Sequence, residues 1–247
     1  MQAVMITMQG REDDALETAD NLAEADISTE IFVQPSDWPI GGEGNNRNSR
    51  RALDWAIRNA KGPGVLFAED DIRVLPKRVN RALAAATEVN ELVYMYMHDI
   101  APRTDFYPDE PLIRAMAKES QYHPSRVEEW RKDKVMNEGL RRMKRFSKMF
   151  GSQCVYIPKP YLRFLHAHMN QSLAYSDKIK SMPNMAMDTS LNNWHLSNDL
   201  PVYSYLPHPV QHLQNRKLRT PQRRGVYSQS FDIISDLEVA DEQLRDR

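Results

Sequence analysis

The sequence predicts an α/β fold with a mostly parallel central sheet flanked by helices. Three observations lead there. Apolar runs at residues 3–7, 65–68 and 92–97 have the length of buried strands. Residues 13–25 and 48–60, between them, place apolar side chains at the helical period. The alternation of the two patterns over residues 3–97 requires crossover connections, which make neighbouring strands parallel.

Each element has its own signal. Residues 3–7 (Ala-Val-Met-Ile-Thr) form the first buried strand, and Gly10-Arg11 falls in the turn that follows. Ala15, Leu16, Ala19, Leu22 and Ala23 line one face of the first helix. Residues 27–33 alternate as a second strand, and 35–46 read as a loop containing Gly41, Gly42 and Gly44. Ala52, Leu53, Ala56 and Ile57 share a face of the helix over 48–60, which Lys61-Gly62-Pro63-Gly64 stops. Pro76 opens a third helix through residue 89, and a strand over 92–97 follows.

Beyond residue 97 the pattern is irregular. Residues 98–124 read as loops with a short helix around 112–118. Residues 126–148 read as a basic helix, with nine Lys or Arg against four acids. A strand lies within 149–157, helices at 161–169 and 187–196, and a strand at 202–206. Residues 216–224 carry five basic side chains and no acid, whereas 231–247 form an acidic tail with six acids and two arginines. Residues 1–230 therefore read as one domain.

At 247 residues, 41% hydrophobic and 27% charged, the chain has the composition of a soluble globular protein. A formal net charge of −1 excludes a global field toward nucleic acid or membrane, leaving local patches as the only such surfaces. Cys154 is the only cysteine, so neither an intrachain disulfide nor a cysteine metal cluster is possible, and its apolar neighbours place it in the core. The apolar run at residues 1–8 has no basic leader and is too short for a signal peptide or a membrane span, from which a cytoplasmic location is expected.

The densest chemical signal is Val65-Leu66-Phe67-Ala68-Glu69-Asp70-Asp71. A buried strand accounts for the first four residues. Three adjacent carboxylates repel one another and are costly to bury unpaired. A divalent cation resolves that conflict, and oxygen ligands suit magnesium or manganese, which share their shells with substrate phosphates. An acidic turn capping the next helix, or paired with Arg73 or Arg78, is the competing explanation. Asp70, Asp71, Gly10 and Arg11 all fall at carboxyl ends of strands, where ligands bind in open α/β sheets.

The segment Gly44-Asn45-Asn46-Arg47-Asn48-Ser49-Arg50-Arg51-Ala52-Leu53-Asp54-Trp55-Ala56, followed by Val65 to Asp71, resembles the nucleotide-sugar core of GT-A fold glycosyltransferases. Glu69-Asp70-Asp71 stands where that family carries its DXD motif, with Glu in place of the first Asp. Met187-Asp188-Thr189-Ser190-Leu191-Asn192-Asn193-Trp194 is similar to the helix start that carries the catalytic base of inverting members. Leu206-Pro207-His208-Pro209-Val210-Gln211-His212 resembles the late segment whose histidine ligates the metal, and Gly151-Ser152-Gln153 the segment lining the sugar and acceptor pocket.

The resemblance implies a transfer from a nucleoside diphosphate sugar, with UDP expected, assisted by Mn2+ or Mg2+. Residues 1–100 would form the donor half and 101–230 the acceptor half. Asp71 and His212 would hold the metal, with His208 as a rival to His212. Asp70 would assist through water or the ribose, and Glu69 would meet the ribose or the metal shell. Gly10 and Arg11 would turn beneath the base, Arg47 and Asn48 would contact uracil or phosphate, and Arg51 would lie on a solvated face. Arg219, with Arg216 and Lys217, would close over the diphosphate. Asp188 would take the acceptor's proton, a role compatible with an N-cap.

For the acceptor, the basic stretch at 126–148 interleaves Trp130, Met143, Phe146 and Phe150, and Phe106, Tyr107, Tyr122 and His123 precede it. Positive charge tracks phosphates and aromatics stack on bases, so a 5-hydroxymethylpyrimidine in DNA is one candidate acceptor. A nucleotidyltransferase and a non-catalytic DNA-binding module remain as alternatives. Gly10-Arg11 lacks the Gly-rich, Lys-bearing loop of the former, and metal-dependent donor binding would discriminate against the latter.

Overall fold

The computed structural model describes residues 1–39, 42–96, 138–142, 153–178, 187–206 and 208–212. Its elements run β1 (Gln2–Met8), α1 (Glu12–Ala23), β2 (Ser28–Gln34), α2 (Gly42–Asn59), β3 (Gly64–Glu69), β4 (Ile72–Val74), α3 (Pro76–Val89), β5 (Leu92–Tyr94), β6 (Gly139–Arg142), β7 (Cys154–Pro158), α4 (Lys159–Lys178), α5 (Met187–Ser197), β8 (Val202–Leu206) and β9 (Val210–His212).

Seven strands form one sheet in the order β2-β1-β3-β7-β5-β8-β6, and β4 pairs with β9 in a second, two-stranded sheet. β1 is parallel to both β2 and β3, and β5 is parallel to β8. β7 runs antiparallel between β3 and β5, with Tyr156 in register with Leu66 on one side and Val93 on the other. β6 closes the far edge antiparallel to β8. Five strands of the large sheet thus share one direction, and β6 and β7 oppose it.

Alternation along the strands builds two cores. Val4, Ile6, Val65 and Phe67 face α2, α4 and α5, packing with Leu53, Leu162, Leu165 and Leu191. Ala3, Met5, Leu66 and Ala68 face α1 and α3, packing with Leu22, Val79 and Leu83. Cys154 is fully buried in the second cluster, where burial drives its thiol pKa up. No described helix is long and apolar enough to cross a membrane.

Several elements differ from the sequence expectation. α2 starts at Gly42, six residues early. Glu43 and Arg47 pair across its first turn at 2.6 Å, and a Cβ on Gly44 would lie 2.1 Å from the Pro39 carbonyl oxygen. The glycine there lets the turn sit against the preceding loop instead of breaking the helix. The expected helix at 126–148 is contradicted at residues 139–142, which form β6. Gly139 takes φ +151, which a helix cannot accommodate, and the exposed edge of β8 supplies the ladder. The rest of that stretch, residues 98–124, and the tail at 231–247 lie outside the described residues. β4 was not foreseen: three residues cannot show a period, and their partner β9 is distant in sequence.

Candidate active site

The acidic residues sit at the carboxyl end of β3, next to that of β1. The parallel register sets Ile6 beside Glu69, so the following residues, Thr7 and Asp70, meet. The buried Thr7 hydroxyl donates to Asp70 Oδ2. After β1 the chain turns back, with the Arg11 N–H bonded to the Met8 carbonyl at 3.1 Å and Gly10 at φ +84. A side chain is strained in that conformation, so glycine is needed there, although the space around it is open. Arg11 is thereby returned over the strand ends. Its Nη2 lies 2.6 Å from Asp70 Oδ1 and 3.1 Å from Asp71 Oδ2.

α1 holds the turn beyond the acids. Thr18 Oγ1 donates to the Asp70 and Ile72 carbonyls at 2.9 and 3.2 Å, and Asn21 Oδ1 accepts the Val74 N–H at 2.8 Å. These bonds satisfy buried backbone groups that the tight β3–β4 connection leaves unpaired. Glu12, Asp13 and Asp14 occupy the first turn of α1, where the helix dipole favours negative charge.

Asp70 is almost wholly enclosed, and burial pushes its pKa from the usual 3.8 up to about 6. The Thr7 hydroxyl and Arg11 pull it down, Asp71 pushes it up, and burial outweighs them. Both oxygens of Asp70 are engaged, one by Thr7 and one by Arg11. Asp71 is more exposed than Asp70 and shares the same guanidinium nitrogen.

Two further segments converge on this region. Ile72 of β4 is in register with His212 of β9, which places the His212 backbone one residue beyond Asp71. The start of α5 is tied to α2: Asn45 Oδ1 accepts the Met187 N–H at 3.1 Å, and Asn46 Nδ2 donates to Ser190 Oγ at 3.2 Å. Asp188 is the second residue of that helix. The side chains of Asp188 and His212, and all of Arg216, Lys217 and Arg219, lie outside the described ones. Glu69 ends β3, with its N–H on the Gln153 carbonyl at 2.9 Å, so Gln153 of the expected pocket segment borders the acids.

The remaining sequence candidates are placed differently from expectation. Asn48 is buried, and its Nδ2 donates to the Thr7 and Phe32 carbonyls at 3.1 and 2.6 Å. Its Nδ2 ties the ends of β1 and β2 together, while its Oδ1 is buried without a hydrogen-bond partner among the described residues. Arg47 is occupied by Glu43 on the outer side of α2. Arg51 is half-buried: it donates to the Val33 carbonyl at 2.6 Å and lies over the rings of Phe32 and Trp38 at 5.6 and 5.8 Å. His208, expected at the surface, is buried, with Nε2 3.3 Å from Ser204 Oγ, and burial lowers its pKa to about 3. Thr7, Thr18, Asn45 and Asn46 were missed as site residues. The one sequence signal is a polar residue closing an apolar strand for Thr7 and an Asn pair opening a helix for Asn45 and Asn46; Thr18, inside α1, has none.

The residues fit a divalent cation in their donor chemistry. Two hard carboxylates from adjacent positions already converge on one cationic nitrogen, which stands in for an ion. Among the described residues no three His, Cys, Asp or Glu side chains group to hold an ion. His212 enters only through its backbone register.

No protein-family model matches the chain, and no curated protein matches it. Among solved structures, the chain is similar to the protein A197 from STIV, with 12% identity, a TM-score of 0.45 and coverage of 87% of this chain and 85% of that one. It is also similar to the galactosyltransferase LgtC in complex with donor and acceptor sugar analogues, with 11% identity, a TM-score of 0.44 and coverage of 98% and 96%. A third is a glycosyltransferase involved in the glycosylation of the major capsid of PBCV-1, with 10% identity, a TM-score of 0.33 and coverage of 81% and 94%.

Proposed function

We propose that this chain is a metal-dependent glycosyltransferase that moves a sugar from a nucleoside diphosphate sugar, with UDP as the nucleotide, to an acceptor hydroxyl. The observation that carries this reading is the meeting of Asp70 and Asp71 at the end of a central strand, with the α5 start held against α2 and His212 in register beside them. That is the crevice where an open α/β sheet binds ligands.

Asp71, with His212, would hold the divalent cation. The cation would supply electrostatic stabilisation of the departing diphosphate. Asp70, fixed by Thr7 and Arg11, orients its neighbour and sets the negative potential of the crevice. Asp188, at the start of α5, would take the acceptor's proton in an inverting transfer. Asn48 fixes the strand ends through its Nδ2. For the acceptor, the basic stretches at 126–148 and 216–224 favour a hydroxymethylated pyrimidine in DNA as the first substrate to assay.

The test is thermal unfolding with UDP, UDP-glucose or UDP-galactose, with and without Mn2+. A ligand specific for the folded state stabilises by about 2.7 kcal/mol at a hundredfold excess over its dissociation constant. Stabilisation that needs both UDP and Mn2+ is the expected result. Absence of a shift with every nucleoside diphosphate tried would reduce the carboxylates to an acidic turn and remove the basis of this reading.

A further inference from the structure

We propose that Arg11 and a divalent cation are alternative occupants of the position between Asp70 and Asp71, so that entry of the ion displaces the guanidinium from the pair. The proposal rests on the reading of Asp71 as a ligand of the ion.

The geometry is that of a shared seat. One nitrogen, Arg11 Nη2, contacts Asp70 Oδ1 at 2.6 Å and Asp71 Oδ2 at 3.1 Å. A small divalent ion takes carboxylate oxygens at roughly 2.0–2.1 Å. An ion on these oxygens would therefore stand against the guanidinium, two positive charges competing for the same lone pairs.

Arg11 is built to leave. Its backbone is fixed, with its N–H on the Met8 carbonyl and its carbonyl accepting from Ala15, both at 3.1 Å. Its side chain makes no cap bond to α1, so helix formation does not need it. The guanidinium also has a second partner outside the pair: Asp14 Oδ2 lies 3.7 Å from Nε, and Asp14 is about one-third exposed. A rotation about the side-chain bonds can move the charge toward Asp14 without moving the chain. The opposing model makes Arg11 a permanent pin that holds the carboxylates together for the ion. The two models predict opposite signs.

The test is Mn2+ binding to the full chain without nucleotide, followed by electron paramagnetic resonance, in the wild type and Arg11→Met. Displacement predicts binding at least tenfold tighter in Arg11→Met, because the competitor is gone. Equal or weaker binding in the variant, with the wild type still binding, overturns the displacement and leaves the proposed function standing. If neither protein binds Mn2+ even with UDP present, the metal-dependent reading falls and the proposal with it. A second measurement needs no variant. Phenylglyoxal modification of Arg11, read by peptide mass, is expected to rise severalfold when the wild type is saturated with Mn2+. Unchanged or reduced modification refutes displacement even if Arg11→Met fails to fold.

Discussion

Two charged clusters in this molecule are near mirror images. At the ends of β1 and β3, one arginine faces two aspartates. Where α3 meets β6 and β8, two arginines face one glutamate: Arg78 lies 2.9 Å and Arg81 2.8 Å from Glu138, and the Tyr205 hydroxyl donates to the same carboxylate at 2.7 Å. The carboxylates respond in opposite directions. Burial disfavours the charged form of both. At Glu138 the bonds from Arg81 and Tyr205 and the charges of both arginines outweigh burial and hold the pKa below its usual value. At Asp70 burial wins, and the pKa rises to about 6. A carboxylate held by two arginines and a tyrosine is a structural tie, here fastening β6 to the body of the sheet. At the strand ends the two carboxylates of Asp70 and Asp71 share one guanidinium nitrogen, and burial sets the pKa of Asp70 against that pairing, the kind of perturbed carboxylate found at functional sites.

The largest effect that would break this comparison comes from Asp71→Ala. Removing one of two like charges around a single arginine is expected to leave the fold at least as stable, because Asp71 raises the pKa of its neighbour. Metal-dependent UDP binding or sugar transfer should fall by on the order of 100-fold or more. Unchanged Mn2+-dependent stabilisation by UDP in the variant would show that Asp71 is no ligand and that the two clusters differ only in arithmetic.

Thr7→Val should have a smaller effect, and one on stability. The substitution keeps the shape of the buried side chain and removes the donor to Asp70 Oδ2. The expected cost is about 1–3 kcal/mol, measured by urea unfolding. The hydroxyl lowers the pKa of Asp70, so its loss should raise that pKa further. A variant as stable as the wild type would mean that solvent replaces the hydroxyl and that the pocket is wetter than its burial implies.

Sequence reasoning found the acids, and it found the strand and helices that carry them, because β3 changes from wholly apolar to wholly acidic within seven residues. It did not find what holds them. Thr18 and Asn21 read as ordinary polar positions on α1, and only the crossover geometry turns them toward the β3–β4 connection. The pairing of Arg11 with Asp70 was not foreseen because their separation in the chain hides a parallel register. The structural bonds of Asn48 were hidden for a related reason: its Nδ2 donates to the carbonyls of Thr7 and Phe32, which lie on two strands far from it in the chain. His208 and Arg51 show the limit from another side. A histidine between prolines and an arginine in a basic run have the local pattern of solvated residues, yet tertiary packing encloses His208 and lays the half-buried Arg51 over the Phe32 ring. The β6 strand was hidden by the helical composition around it, and the edge of β8 decided the outcome.

The smallest effect belongs to the other cluster. Glu138→Gln keeps the shape of the side chain and one acceptor for Arg81 and Tyr205 but removes the charge. Arg81 is about half exposed and its share is screened, whereas Arg78 is nearly enclosed and loses more. The expected cost is about 1 kcal/mol at neutral pH. Its pH dependence gives the comparison a sign. The folded pKa of Glu138 lies below the unfolded one, so its stabilisation is complete above roughly pH 4.5 and disappears as pH falls through the folded value. Urea unfolding of the wild type and Glu138→Gln should therefore differ at pH 7 and converge in acid. Mn2+ affinity should be equal in the two proteins at every pH. A difference in metal affinity would join the clusters into one electrostatic unit, and Arg78 and Arg81 of α3 would then count in the balance at the strand ends.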